Sequence, residues 1–214
     1  MIKENGKNEK KYISKAGLKA RGWTESMINR LLGNADLIVK NPYYSKAPEM
    51  KLYLIEKVNG IENSEIFSEL KKRSMKRSES MKKVARMKEK ELLGYIDSIK
   101  IEVKEMNIEK IKKLAINEYN DHQDETGHFE NIIIKGRIDI AFLNRIMVNY
   151  IRHNLTSYEN LLEELKNKVG KDKAYMKLKK KILEKIAEVY PMLKDECNIQ
   201  MIELIEIDKT KRGI

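Results

Sequence analysis

The chain has 214 residues, 41% apolar and 36% charged, enough for one sizeable domain or two small ones, and no apolar run is long enough to span a membrane. Lys and Arg outnumber Asp and Glu by 44 to 33, a formal net charge of +11, which favours polyanionic partners. A single cysteine rules out an internal disulfide and fits a reducing, cytoplasmic compartment.

The opening MIKENGKNEKKY lacks the apolar core of a signal peptide and reads as a disordered basic arm over residues 1–11. A module over residues 12–62 follows. Ser14 is placed to cap a short helix from Lys15 to Ala20, Gly22 breaks it, and Trp23 fills the corner. Thr24 caps a second helix with Glu25 in its first turn; Met27, Ile28, Leu31 and Leu32 form its apolar face, and Gly33 stops it. This is the spacing of a DNA-reading helix–turn–helix, and equally of an ordinary pair of core helices. Leu37-Ile38-Val39 and Leu52-Tyr53 are β-prone and flank Pro42 and Pro48, so they read as a hairpin, or wing. Between the prolines stand Tyr43, Tyr44, Ser45 and Lys46. Adjacent tyrosines and a lysine suit a phosphate backbone or an unstacked base; the plainer reading buries one tyrosine under the wing.

Asn41-Pro42-Tyr43-Tyr44-Ser45 followed by Met50-Lys51-Leu52-Tyr53-Leu54 resembles the DNA-binding domain of the xeroderma pigmentosum group A (XPA) damage-recognition family. That family also follows its hairpin with a long Lys/Arg-rich helix, and both are similar to the fold of MerR-type regulators and excisionases. The likeness covers residues 20–95 and implies a DNA-binding, winged helix–turn–helix-like module. Two departures stand out. The family has a tryptophan at the hairpin tip, where this chain reads Lys46-Ala47-Pro48, and it carries a four-cysteine zinc module, where this chain has only Cys197. The whole chain also resembles a bacterial protein family sharing the GWT, LLG, MKLYL and VNYIRHNLTSYE segments, a likeness that implies no function.

From Leu54 a helix is expected to about Ile61, with Ile55, Val58 and Ile61 inward. Ser64 then caps a long helix within residues 63–98. Its apolar row runs Ile66, Phe67, Leu70, Ser74, Ser78, Met81, Ala85, Lys88, Leu92, Tyr95, strong at both ends and thin in the middle. Residues 71–90 hold ten Lys or Arg against two Glu, a cluster that overall lysine richness does not explain. Such a helix suits phosphate contacts with a steep salt dependence, or is a solvated linker; its centre lacks the bulky apolar face a membrane-lying helix needs.

Residues 99–135 read as a short strand or extended linker, then a helix capped by Asn107 with Ile108, Ile111, Leu114 and Ala115 inward, then a polar loop from Tyr119 to His128. Asp121, His122, Asp124 and His128 match no recognised metal-site spacing. Residues 136–214 read as a helical bundle. Its first helix places Ile140, Leu143, Ile146, Met147, Tyr150 and Ile151 on one face; Thr156 to Glu159 is a capping box; Leu161, Leu162 and Leu165 face inward on a helix ending near Gly170. Next come Tyr175, Leu178, Ile182, Ile186 and Val189 up to Pro191, then Leu193, Cys197, Met201, Ile202 and Ile205. Tyr150, Arg152, His153, Asn154, Tyr158 and Glu159 gather at one turn. There His153 is either a general base oriented by Glu159, or part of a polar brace with Arg152 paired to Glu159.

The expected whole is a mainly α protein: a winged helix–turn–helix-like module with a small β-hairpin, a long basic helix and a C-terminal helical bundle. Its expected function is non-enzymatic nucleic-acid binding, with DNA as partner, without cofactor, metal or membrane. Arg21, Trp23, Ser26, Asn29 and Arg30 stand at or near the helical reader, with the core as the alternative place for Trp23, and Tyr43, Tyr44, Lys46 and Lys51 stand on the wing. Lys71, Lys72, Arg73, Lys76, Arg77, Lys82, Lys83 and Arg86 supply phosphate contacts. The alternative is an adaptor whose bundle forms a homodimer or docks on a protein or RNA-containing assembly; an enzyme using His122, His128 or His153 is the third class.

Overall fold

The structure, a computed structural model, describes residues 11–40, 48–133 and 138–212. The hairpin tip with Tyr43, Tyr44 and Lys46, and nearly all of the expected N-terminal arm, lie outside the described residues. The fold is mainly helical with one small antiparallel sheet, and the chain divides into two compact units between Val84 and Ala85, within a long helix.

In the first unit the order is β1 (Tyr12–Ser14), α1 (Lys15–Ala20), α2 (Glu25–Met27, continued by a π-turn over Ile28–Leu32), β2 (Leu37–Val39), β3 (Met50–Leu54), α3 (Ile55–Glu62) and the start of α4 (Glu65–Ser98). The capping residues act as expected. Ser14 Oγ accepts from Gly17 N, Thr24 Oγ1 from Met27 N and Ser64 Oγ from Phe67 N, each at 3.2 Å. Gly33 ends the π-turn at φ 68°, a conformation costly for a residue with a Cβ.

The sheet has the order β1-β3-β2, so β3 is central. β2 pairs with it as the expected hairpin, Leu37 opposite Leu52 and Val39 opposite Met50. The unforeseen strand is β1, which sets Ile13 opposite Tyr53. Three residues carry too little pattern to show a strand when their partner is some forty positions away. One sheet face turns Tyr53 into a core of Leu18, Trp23, Met27, Ile28, Leu32, Val58 and Phe67. Trp23, only 2% exposed, stacks obliquely on Phe67 with ring centroids 4.6 Å apart. Of its two expected places, the tryptophan takes the core and not the reader face.

In the second unit α4 ends at Ser98, an extended segment follows, and α5 (Ile108–Glu125), α6 (Ile140–Asn154), α7 (Tyr158–Leu165), α8 (Lys171–Val189) and α9 (Lys194–Arg212) surround one core. Asn107 caps α5, its Oδ1 accepting from Glu109 N at 2.9 Å. The segment from Ile99 to Val103 forms no strand. Ile101 is buried in the core, and Lys181 Nζ donates to the carbonyls of Ile96, Asp97 and Ile99 at 2.8–2.9 Å, closing the end of α4.

Several expectations need correction. Residues Tyr119 to Glu125 are the last turns of α5, not a loop. Continued i→i+4 bonding outweighs the low helix propensity of Asn and Asp there. Thr156 and Glu159 form no capping box: the Thr156 hydroxyl donates to Arg152 O at 2.6 Å and accepts from Tyr158 N, while Glu159 turns to His153. The helix after it stops at Leu165, short of Gly170. Ile66, Tyr95, Ile140, Tyr175, Ile202 and Ile205, expected inward, are exposed. On α4 the packed row continues through Ile96 instead of Tyr95. On α9 the packed face runs Cys197, Gln200 and Leu204; Gln200 accepts from the buried Arg152 and donates to the buried Glu196, while Ile202 and Ile205 lie outward. None of the described helices is long and apolar enough to cross a membrane.

Candidate nucleic-acid interface

The basic segment lies entirely on α4. Phe67 anchors the helix in the first core, and Leu70, Lys71 and Ser74 are half-buried. Every residue from 75 to 84 is exposed, so the thin middle of the apolar row marks a bare stretch of helix. Of the ten Lys and Arg in residues 71–90, only Arg73 has a carboxylate within reach among the described residues, Glu69 at 3.4 Å on the same face. Lys71 is partly engaged: its Nζ donates to Arg21 O at 3.4 Å and lies 5.8 Å from the Phe67 ring centroid. Lys72, Lys76, Arg77, Lys82, Lys83 and Arg86 are exposed and carry no such partner among the described residues. The segment is about 30 Å of helix at 1.5 Å per residue, and it presents a concentrated positive field to solvent.

The other predicted residues divide into free and engaged groups. Ser26, Asn29 and Arg30 are exposed together on the outer side of α2 and its π-turn, opposite the buried Met27, Ile28 and Leu32. Lys51 is exposed on β3, opposite Ile38. Arg21 is not free. Its guanidinium donates to Asn59 Oδ1 at 2.7 Å and to Glu62 Oε2 at 2.5 Å, while the other Glu62 oxygen accepts from Trp23 Nε1 at 2.6 Å. Glu62 thus ties the α1–α2 turn to α3. Sequence reading missed it, because a glutamate at a helix end looks solvated until its partners, some forty residues earlier, are in place. Glu25, held by Lys15 with Lys19 nearby, docks α1 on α2; the Lys15 hydrogen bond lowers its pKa.

In the second unit the corner at Arg152 is a brace. Arg152 is 8% exposed, donates through Nη1 to Gln200 Oε1 at 3.2 Å and through Nη2 to His153 Nε2 at 3.0 Å, and lies 5.3 Å from the Tyr158 ring centroid. Arginine only donates, so His153 Nε2 accepts, and its Nδ1–H donates to Glu159 Oε1 at 2.5 Å. The expected direct Arg152–Glu159 pair is replaced by this chain through the imidazole, which separates the two charges. With both ring nitrogens engaged, His153 offers no free lone pair for proton abstraction. Burial raises the pKa of Tyr158 beside it, with the neighbouring Tyr175 hydroxyl adding to the shift.

A groove of about 1010 Å³ lies between α5 and α6, lined by Glu118, Asp121 and Glu125 on one wall and Tyr150, His153 and Asn154 on the other. Among the described residues no group of three His, Cys, Asp or Glu could hold a metal ion. Burial pushes the Cys197 thiol up to about 12, so it stays protonated and unreactive. Compared with protein-family models, with curated proteins and with solved structures, the chain matches none.

Proposed function

We propose that this chain is a non-enzymatic nucleic-acid-binding protein with DNA as its partner. The first unit acts as a winged helix–turn–helix-like module, and α4 supplies most of the affinity. The observation that carries the reading is the set of exposed Lys and Arg side chains on α4, nearly all without a carboxylate among the described residues. A helix serving only as a solvated linker gains from interleaved opposite charges; this one leaves its cations to a partner. Ser26, Asn29 and Arg30 form the second contact face, with Lys51 on the hairpin. Arg21 and Trp23 support that face from behind through Glu62.

Binding to duplex DNA, followed by fluorescence anisotropy over a salt series, tests the reading. Five phosphate contacts give a log–log salt slope near −4.5, a loss of about 500-fold between roughly 50 and 200 mM salt. Changing Lys76→Glu, Arg77→Glu, Lys82→Glu and Lys83→Glu together removes binding and leaves the helical circular dichroism intact. Unchanged binding by that variant takes α4 out of the interface.

A second reading has one observation of its own. Ile199, Ile202 and Ile205 are exposed at three-residue spacing on α9, which suits an adaptor that docks through its helical part. Sedimentation of the chain alone, and with Ile202→Asp, tests for self-association through that row.

A further inference from the structure

The arrangement of charge around α4 reaches further than its total. At about 100° per residue, Lys72, Lys76, Glu79 and Lys83 fall on one line. That line points directly away from the side where Phe67, Leu70 and Ser74 pack. Arg73 and Arg77 lie about 110° to one flank and Lys71 and Lys82 about 100° to the other. A helix lying on one strand's backbone needs a single basic stripe. Cations on both flanks of a central line match a concave surface with phosphates on both walls. The bare stretch from 75 to 84 is about three turns of a rod 10–12 Å across, and the major groove of B-form DNA is about 12 Å wide. The major groove of A-form RNA is too narrow and deep for side chains to read.

Glu79 is the second clue. It sits between Lys76 and Lys83 on the central line, exposed and without a cation partner among the described residues. Against a phosphate backbone a carboxylate there is repelled. Against base edges it has a use, since cytosine N4–H donates into the major groove and lysines on either side suit guanine O6 and N7.

Resting on the nucleic-acid reading above, we propose that α4 enters the major groove of duplex DNA, with Lys76, Glu79 and Lys83 facing base edges and Arg73, Arg77 and Lys82 on the flanking phosphates. The ligand is therefore B-form duplex, and Glu79 is a specificity-determining residue favouring G·C pairs.

The test uses the full chain and three measurements at one salt concentration. First, a DNA duplex is compared with the RNA duplex of the same sequence; at least about tenfold tighter binding to DNA is expected, and equal binding overturns the proposal. Second, the DNA complex is challenged with methyl green, which occupies the major groove, and with distamycin, which occupies the minor. Displacement by methyl green alone is expected, and displacement by distamycin alone overturns the proposal. Third, Glu79→Gln is measured on a G·C-containing and an all-A·T duplex. The preference for G·C is expected to fall at least about fivefold, whereas equal tightening on both duplexes means that Glu79 faces phosphate and overturns its reading role. Failure of the nucleic-acid reading itself looks different, since neither duplex is then bound and both proposals fall together.

Discussion

Glu62 is the strongest test of how the first unit is held together. Its carboxylate accepts from Trp23 Nε1 at 2.6 Å and from Arg21 Nη2 at 2.5 Å. The two bonds differ in worth. Trp23 is almost fully buried, so Glu62→Ala strands an indole N–H away from water, at about 1–3 kcal/mol. The Arg21 side chain is 36% exposed and finds water when released, which limits its share to about 1 kcal/mol or less. Glu62→Ala is therefore expected to cost about 2–3 kcal/mol. Glu62→Gln keeps one acceptor for the indole but turns an NH₂ toward the guanidinium, and is expected to cost about 1 kcal/mol. Trp23 is the only tryptophan in the chain, so its fluorescence follows the first unit alone during urea unfolding. With a slope near 1 kcal/mol per molar, the midpoint should fall by about 2–3 M for Glu62→Ala and by about 1 M for Glu62→Gln. Arg21→Gln should move it less than Glu62→Ala does. An unchanged midpoint for Glu62→Ala refutes the argument, and equal shifts for Arg21→Gln and Glu62→Ala show that the ion pair, not the indole, carries the stability.

Other outcomes follow from single contacts. Gly94 lies inside α4 with open space where a Cβ would sit, so Gly94→Ala should stabilise by about 0.5–1 kcal/mol and raise the melting temperature followed by circular dichroism. Gly170 is the reverse case: at φ +84° its added Cβ meets Glu89 Cγ at 2.7 Å and the Glu89 Cα at 3.2 Å, and Gly170→Ala should lower that melting temperature. The two hydrogen bonds from Arg145, at 2.8 and 3.0 Å, depress the Glu203 pKa. A depressed carboxyl contributes stability fully above its unfolded value, about 4.3, and loses it as pH falls through the folded value. Glu203→Gln should thus flatten the acid side of the stability profile below about pH 5 and leave its neutral-to-alkaline shape unchanged. Cys197, with its thiol pushed to about 12 by burial, should resist a disulfide exchange reagent in native buffer and react fully in denaturant; fast native labelling contradicts its place in the core.

Much of the local structure was legible because it depends on neighbours in sequence. Ser14, Thr24, Ser64 and Asn107 cap the helices they precede, Gly33 and Pro191 mark ends, and the β2–β3 pairing follows from two β-prone runs. The basic cluster was equally plain, since a charge count needs no partner. The thin middle of the α4 row correctly marked a bare stretch, because a helix that packs on nothing has no reason to keep an apolar stripe.

The folded chain alone decided which polar groups go inside and which cations stay free. Glu196 and Gln200 look like surface residues in a string of letters, yet they are buried with Arg152 in one network, on the face of α9 opposite the exposed Ile202 and Ile205. Arg21 reads as part of the helical reader, but Glu62 and Asn59 hold it. Strand β1 acquires its identity from β3. The physical reason is common to all of these. Caps, turns and periodicity are set by atoms a few residues apart, whereas burial of a polar group becomes affordable only when partners from distant segments arrive to satisfy it.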